Sequence, residues 1–280
     1  MPSSHNIGKF AVSTVQDHPS PERDPSVVYP SVPKSAWDPY RSFALEPGGH
    51  YRSQWRGHLI RPSSGPGPLV LVDTGMGPGP HAHTGKPGEL LGSLSAQGVK
   101  PADISAVVIT HTHGDHIGWN VTWEGGKPRS TFPRATYYVA AADWEFYSTA
   151  KAPNDAFEKQ VRPLRDVAKL TLVKGEVEVI PGVSTMPTNG HTPGHQCVLV
   201  RSGGQTGVLT GDLFHNMAQV SEPHWCPTFD WNTDLSTASR RWLLWRARAE
   251  GWVVFSGHLP EGRSIGHVTE RDGKSAWSPV

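Results

Sequence analysis

The sequence has few cysteines, no long apolar run and no excess of charge of one sign. Only 2 of its 280 residues are cysteine, so a disulfide framework cannot hold the fold. Its apolar runs all fall short of the roughly 18 residues that cross a bilayer, and the N-terminus lacks the basic and apolar regions of a secretory signal. We therefore expect a soluble, cytoplasmic protein that does not bind membranes.

The charge balance excludes another class of partner. Lysine and arginine number 26, aspartate and glutamate 25, and the net charge is +1. The chain contains no basic cluster, so nothing in it predicts nucleic-acid binding. A small, neutral or weakly charged molecule is the expected partner, and the prolines and serines near the N-terminus are compatible with a homodimer contact.

Composition and periodicity divide the chain in two. Residues 1–40 are rich in proline and serine without a sustained period, which predicts an irregular N-terminal arm. Residues 41–280 read as a single domain in which short apolar runs alternate with helical spacings. This alternation favours a layered α/β architecture. The predicted helices cover residues 89–97, 141–150, 154–168 and 235–249, the main predicted strands cover 55–60, 69–72, 137–139, 170–173, 177–180, 196–201, 207–210 and 252–255, and 122–133 is predicted to be a polar loop.

The strongest local signal is a cluster of three imidazoles and one carboxylate within six residues, His111-Thr112-His113-Gly114-Asp115-His116. It directly follows the apolar run 106–109. A strand that ends in a turn can direct His111 and His113 to one metal ion, while Asp115 and His116 could bind a second one beyond the Gly114 bend. Nitrogen and carboxylate ligands suit zinc, with iron or manganese as alternatives.

Three further metal-type residues lie beside predicted strands. His191 precedes the strand at 196–201, Asp212 follows the strand at 207–210, and His258 follows the strand at 252–255. Rigid strand ends are where ligands are best positioned. Each residue alone is more often structural, but together with the 111–116 cluster they predict one metal site.

These motifs, in this order, resemble the metallo-β-lactamase fold superfamily: His-x-His-x-Asp-His, then Gly-His-Thr-Pro-Gly-His, then Gly-Asp, then a late Gly-His. The resemblance runs from about residue 55 to residue 258 and implies a four-layer αββα sandwich. It also implies two divalent ions, zinc being expected. By position, the first ion takes His111, His113 and His191; the second takes Asp115, His116 and His258; Asp212 bridges the two; and Asp73 braces the ligands.

The resemblance further implies a hydrolase in which a hydroxide bridging the two metals attacks the substrate. Asp212 stands where zinc β-lactamases typically have Cys or Ser, which favours the lactonase and organophosphate-hydrolase branch. Lactonases commonly carry a Tyr three residues after this Asp, whereas this chain has His215. We expect Asp115 and His215 to be the catalytic residues, with a lactone or other carboxylic ester as substrate; His215 could equally be a wall residue.

Two other activities remain open at this point. A phosphotriester hydrolase could use the same ligands. A mononuclear iron persulfide dioxygenase would use mainly the His111, His113, His191 and Asp212 side, although the complete second ligand set favours two metals. A binding module without catalysis is disfavoured because no predicted ligand is missing.

Overall fold

The structure is a computed structural model that describes residues 2–149 and 154–280. These residues form two seven-stranded sheets, with strand orders β1-β2-β3-β4-β5-β8-β9 and β10-β11-β12-β13-β14-β15-β16, and a β6-β7 hairpin. The strands are β1 Ser4–Ile7, β2 Phe10–Pro19, β3 Gln54–Pro62, β4 Leu69–Val72, β5 Ile104–Val108, β6 Val121–Glu124, β7 Lys127–Ser130, β8 Thr136–Ala140, β9 Lys169–Val173, β10 Glu178–Ile180, β11 Val183–Pro187, β12 Gln196–Ser202, β13 Gln205–Leu209, β14 Val253–Phe255, β15 Ile265–Arg271 and β16 Lys274–Pro279.

Short helices and one long helix connect the strands. The helices are α1 Pro25–Val28, α2 Arg41–Ala44, α3 Leu90–Ala96, α4 Gly114–Ile117, α5 Ala141–Thr149, α6 Asp155–Gln160, α7 Leu164–Val167, α8 Ala218–Ser221 and α9 Thr233–Ala249, with 3-10 turns at Lys34–Tyr40, Pro101–Asp103 and Gly211–Leu213. Among the described residues, no helix has the length and apolarity needed to cross a membrane. The cytoplasmic location and the homodimer stay predictions.

Apolar side chains define four layers. Side chains such as Val12, Ile60 and Val198 fill the space between the two sheets. A second core lies outside the first sheet, under helices α3 and α5 to α7. A third lies outside the second sheet, under α9, where Leu243 packs. Since each sheet buries both faces, the predicted four-layer αββα sandwich is confirmed.

The strand directions determine where loops with polar residues collect. Strand β4 is parallel to β5, and β13 is parallel to β14. The carboxyl ends of each parallel pair therefore lie at the same edge of their sheet, which is where ligands bind in α/β proteins. The loops that carry His111 to His116, Asp212 and His258 start at the ends of β5, β13 and β14. The loop that carries His191 starts at the end of β11, which runs in the same direction as β13.

The predicted irregular arm over residues 1–40 is wrong for its first half. Strands β1 and β2 pair with each other, and β2 pairs with β3 over Phe10 to Pro19, so the sheet includes them. The prolines that suggested irregular structure lie outside the paired run or at its end, and the β-branched residues between them suit a strand. Residues 25–44 form short helices that pack against Trp225 and Met217.

Other local predictions differ from the structure in smaller ways. The polar loop predicted at 122–133 is wrong for most of its length, because the β6-β7 hairpin occupies it. The single helix predicted at 154–168 is two helices, since Pro163 lacks the N–H that a continuous helix needs. The helix predicted at 141–150 is confirmed to Thr149, and Ala150 lies outside the described residues.

Candidate metal centre

The structure brings all seven sequence-predicted ligands to one edge of the sandwich. His111 and His113 lie in the loop after β5, and Asp115 and His116 lie in the short helix α4. The other three come from the loops after β11, β13 and β14. All seven belong to two groups whose ligand atoms lie within 4.8 Å of one another: site 1, with His111, His113, His191 and Asp212, and site 2, with Asp115, His116 and His258.

Site 1 is a ring of nitrogen atoms closed by one carboxylate oxygen. His113 Nδ1 lies 2.9 Å from His191 Nε2. His191 Nε2 and His111 Nε2 lie 3.1 and 3.6 Å from Asp212 Oδ2. The His111 and His191 residues are each 1% exposed, whereas His113 is half-buried.

Site 2 lies on the other side of Asp212. His116 Nε2 and His258 Nε2 lie 2.9 and 2.8 Å from Asp212 Oδ1. The same two nitrogens lie 3.7 and 3.8 Å from Asp115 Oδ2. The Asp115 side chain is 22% exposed, in contrast to 4% for Asp212. Asp212 therefore directs one oxygen to each site, and Asp115 lies on the more open side.

These residues fit metal ions. Among the described residues, His111 Nε2, His116 Nε2, His258 Nε2 and Asp212 Oδ1 are buried and have no hydrogen-bond partner, even though two of these nitrogens approach the oxygen closely. Buried polar atoms without a partner are costly, so a group that accepts their lone pairs is expected. Imidazole nitrogens and carboxylate oxygens are the donors that zinc takes.

Hydrogen bonds on the far side of the rings orient two of the site 2 ligands. His258 Nδ1 donates to the Gln54 carbonyl at 2.8 Å, and His116 Nδ1 lies 2.8 Å from Asp73 Oδ2. A carbonyl or an ionised carboxylate can only accept, so each Nδ1 holds the proton and each Nε2 directs its lone pair to the centre. Asp73 thus contacts His116 as the resemblance implied.

Two further carboxylates at the centre were missed by sequence reasoning. Asp230 Oδ1 lies 2.8 Å from His191 Nδ1. Asp143 accepts from the Thr112 and Gly194 backbone N–H groups, at 3.0 and 2.6 Å, and so joins the two histidine-rich loops. Neither residue belongs to one of the histidine motifs. The sequence marks Asp143 only as an acidic residue in the first turn of a predicted helix. It marks Asp230 only as an acidic residue in an aromatic-rich loop.

His215 and His195 both contact Asp212, but they differ in whether a ring nitrogen is left without a hydrogen bond. His195 Nε2 accepts from the Asp212 N–H at 3.0 Å and its Nδ1 donates to the Thr188 carbonyl at 3.1 Å, so its ring is fully engaged. His215 Nε2 lies 2.9 Å from Asp212 Oδ2. Burial lowers the pKa of His215 to about 4 despite the neighbouring Asp212 charge, so the ring is neutral at pH 7.

An exposed aromatic pair lies beside site 1. The Trp231 backbone N–H donates to the His191 carbonyl at 3.0 Å, and the Tyr147 and His113 rings lie 6.5 Å apart. Phe146, next to Tyr147, lies 6.3 Å from the Trp231 ring, and these two side chains are 41% and 49% exposed. An apolar rim therefore lies on the His113 and His191 side of the centre.

Two stacked sheets lie between helical layers, with a histidine and aspartate centre of metal-ligand type at the strand ends. Together with the relatives given below, this defines the class of protein as a metal-dependent hydrolase. The family is established by sequence: the model of the Metallo-beta-lactamase superfamily matches residues 58–258. The chain belongs to the metallo-beta-lactamase superfamily, and the predicted resemblance is confirmed.

Individual relatives place the chain more closely. It is 25% identical to an N-acyl homoserine lactonase of Bacillus cereus, over 72% of this chain and 79% of the relative. It is 32% identical to Metallo-beta-lactamase domain-containing protein 1 of Homo sapiens, over 75% of this chain and 67% of the relative. The lactonases among these relatives agree with the branch that the sequence motifs indicated.

Solved structures share the whole fold. AidC, a dizinc quorum-quenching lactonase solved with the product N-hexnoyl-L-homoserine, superposes with a TM-score of 0.82 at 22% identity, over 100% of this chain and 97% of that one. The hydrolase AbOPH superposes with a TM-score of 0.80 at 22% identity, with the same coverage. At this identity the likeness establishes the architecture.

Proposed function

We propose that this protein is a dinuclear zinc hydrolase that opens a lactone or another carboxylic ester. The observation that carries the proposal is the pair of ligand groups that share Asp212, one oxygen for each group. The lactonases among the relatives support the choice of substrate class. In this proposal site 1 and site 2 each hold one zinc ion.

The zinc ions and the side chains have different roles in the proposed reaction. Two zinc ions, when bound, would ionise a water molecule near neutral pH and polarise the ester carbonyl. Asp212 holds the two sites in a fixed relation. Asp115 is the most exposed of the predicted site 2 ligands, so its carboxylate is the most accessible of them for accepting a proton.

His215 is the second proposed catalytic residue. Its Nε2 donates to Asp212 Oδ2. Its Nδ1 is buried and has no hydrogen-bond partner among the described residues, so it keeps a lone pair. The role we propose, in place of the lactonase tyrosine, is to accept a hydrogen bond at Nδ1 from the leaving group's hydroxyl once that oxygen is protonated.

The substrate we propose carries an apolar substituent. Phe146 and Trp231 expose a large part of their rings beside site 1, where a substrate bound at the centre would extend to the surface. An exposed aromatic pair of this kind binds apolar groups by removing both surfaces from water. A lactone or ester with an alkyl or acyl chain fits this rim better than a compact polar ester.

The test is steady-state hydrolysis by the zinc-loaded enzyme of lactones and linear esters with short and long acyl chains, and of a phosphotriester. We expect kcat/KM to be greatest for a lactone or carboxylic ester and to rise with chain length. Preference for the phosphotriester would contradict the proposed substrate class but would leave the proposed metal centre unchanged. Thiol-dependent oxygen uptake by an iron-loaded protein would contradict the hydrolase proposal.

A further inference from the structure

Arg240 is a charged residue in the middle of α9 that the sequence did not single out. Its side chain has no solvent exposure. Its guanidinium donates to six atoms: the carbonyls of Leu213, Pro223 and Trp225, the sulfur of Cys226, the carboxylate of Asp230 and the hydroxyl of Ser236. One side chain thus joins α9 to three separate segments on the same side of the metal centre.

The first path from Arg240 leads to His191. Arg240 Nη2 donates to Asp230 Oδ2 at 2.7 Å, and His191 Nδ1 lies 2.8 Å from Asp230 Oδ1. All three side chains are fully buried, so no solvent screens these charges. The two oxygens of the Asp230 carboxylate therefore accept from both partners at once.

The second path leads to Asp212. Arg240 Nε donates to the Leu213 carbonyl at 2.7 Å. Leu213 follows Asp212 directly in the 3-10 turn Gly211–Leu213. A rigid, planar guanidinium that holds both partners fixes the distance between the His191 ring and the Asp212 turn, which a flexible lysine could not do.

Site 2 is held by other groups. His116 is hydrogen-bonded to Asp73, and His258 to the Gln54 carbonyl. None of the hydrogen bonds of Arg240 in the described part of the chain reaches these residues. Arg240 therefore supports site 1 without contacting the groups that hold the site 2 ligands. The Asp73 network touches site 1 at another residue, His111, whose Nδ1 lies 3.1 Å from the Thr110 hydroxyl that donates to Asp73.

We propose that Arg240 is a positioning residue for site 1: through Asp230 and the Leu213 carbonyl it sets the relative placement of His191 and Asp212. The inference rests on the proposed metal centre. Its consequence is unequal for the two ions: loss of Arg240 should weaken the ion at site 1, where both His191 and Asp212 are displaced, far more than the ion at site 2, where only Asp212 is affected.

The test is competition titration of the full-length protein with zinc and a chromophoric chelator, for wild type and for Arg240→Met, Arg240→Lys and Asp230→Asn. We expect two ions in wild type and about 10–100-fold weaker binding of one of them in Arg240→Met, the loss typical of groups that orient a ligand. Arg240→Lys should restore affinity only in part. Asp230→Asn, which keeps the shape of the side chain, should weaken the same ion.

Ser236→Ala is the matched control. It removes a buried hydrogen bond to the same Nη2 atom, at 2.7 Å, but leaves the contact to Asp230 in place. We expect both zinc affinities to stay at wild-type values in this variant, while thermal unfolding reports any loss of stability. The absorption spectrum of the Co²⁺-loaded protein gives a second readout, and its d–d bands should change in Arg240→Met and stay unchanged in Ser236→Ala.

The outcomes separate the two proposals. Equal zinc affinities in wild type, Arg240→Met and Asp230→Asn would overturn the role of Arg240 while the metal centre stands. Equal weakening of both ions would also overturn it. Wild-type protein that binds fewer than two ions would contradict the proposed function itself. If Arg240→Met does not fold, Asp230→Asn decides, because selective loss at one ion supports the inference and unchanged binding contradicts it.

Discussion

Asp73 and Asp230 each contact Nδ1 of a histidine at the centre, at 2.8 Å in both cases, but different parts of the chain hold the two carboxylates. Asp73 directly follows β4 and accepts from the backbone N–H and the hydroxyl of Thr110, both at 2.8 Å, just beyond the end of the adjacent strand β5. Asp230 lies in a loop and is held by Arg240 from a helix in the outer layer. Strand geometry thus supports one site, and side-chain packing supports the other.

This difference explains why one support could be predicted and the other could not. Asp73 follows an apolar run directly, so its position at a strand end can be read from the sequence. Asp230 lies 39 positions from His191, and its contact depends on how α9 packs on the second sheet. Contacts that tertiary packing creates leave no local period in the sequence.

The first prediction concerns Asp212, the ligand that the two sites share. Asp212→Ala should release both ions and reduce kcat/KM by more than about 100-fold, a larger loss than those caused by groups that only orient ligands. Metal content by elemental mass spectrometry and lactone hydrolysis measure the effect. Retention of one ion at wild-type affinity would show that Asp212 serves a single site.

The second prediction separates the sites. His113→Ala removes a ligand from site 1 only, so we expect about one ion per chain and a parallel loss of turnover. His224→Ala is the matched control, because the His224 side chain is 54% exposed and lies outside both ligand groups. Full metal content and near-normal activity in His113→Ala would contradict the assignment of this residue.

The third prediction tests the strand-supported region. Asp73→Asn should weaken the ion at site 2 by about 10–100-fold, since an amide is a weaker acceptor for His116 Nδ1 than a carboxylate. Asparagine tolerates the backbone φ of +61° that Asp73 adopts, so the turn should persist. Competition titration with zinc gives the affinities. Weakening at site 1 instead would remove the distinction between the two networks.

The fourth prediction concerns His215, which contacts the shared ligand Asp212, and has the smallest expected effect on metal binding. His215→Phe should lower kcat while the metal content stays at the wild-type value, because the Nδ1 lone pair that we propose to hold the leaving group is lost. Rates from pH 6 to 9 and elemental analysis of the same samples measure both quantities. An unchanged rate across this range would make His215 a wall residue.

Much of the architecture was predictable from the residues. The runs at 69–72 and 207–210 identified strands with a site residue at each end, Asp73 and Asp212, and the structure has β4 and β13 there. Strands β15 and β16 were missed, because polar residues alternate with few apolar ones at this edge of the second sheet. Strands β1 and β2 were missed because the prolines and serines of residues 1–40 favoured a prediction of irregular structure there. In both cases the pairing partner, rather than local composition, stabilises the strand.

The ligand positions could be proposed from the sequence because motif order and strand ends both mark them. The rim formed by Phe146 and Trp231 could not, since the two residues come from α5 and from the loop before α9, and only the fold brings them together. The same holds for Arg240, whose buried charge is visible only in the packed structure.

Asp212 is proposed to serve two metal ions at once. Elemental mass spectrometry of protein purified without chelator or added metal tests this by measuring the metal content. We expect close to two zinc ions per chain in wild type and close to none in Asp212→Ala. One iron ion per chain in wild type, or two zinc ions in Asp212→Ala, would contradict this proposal.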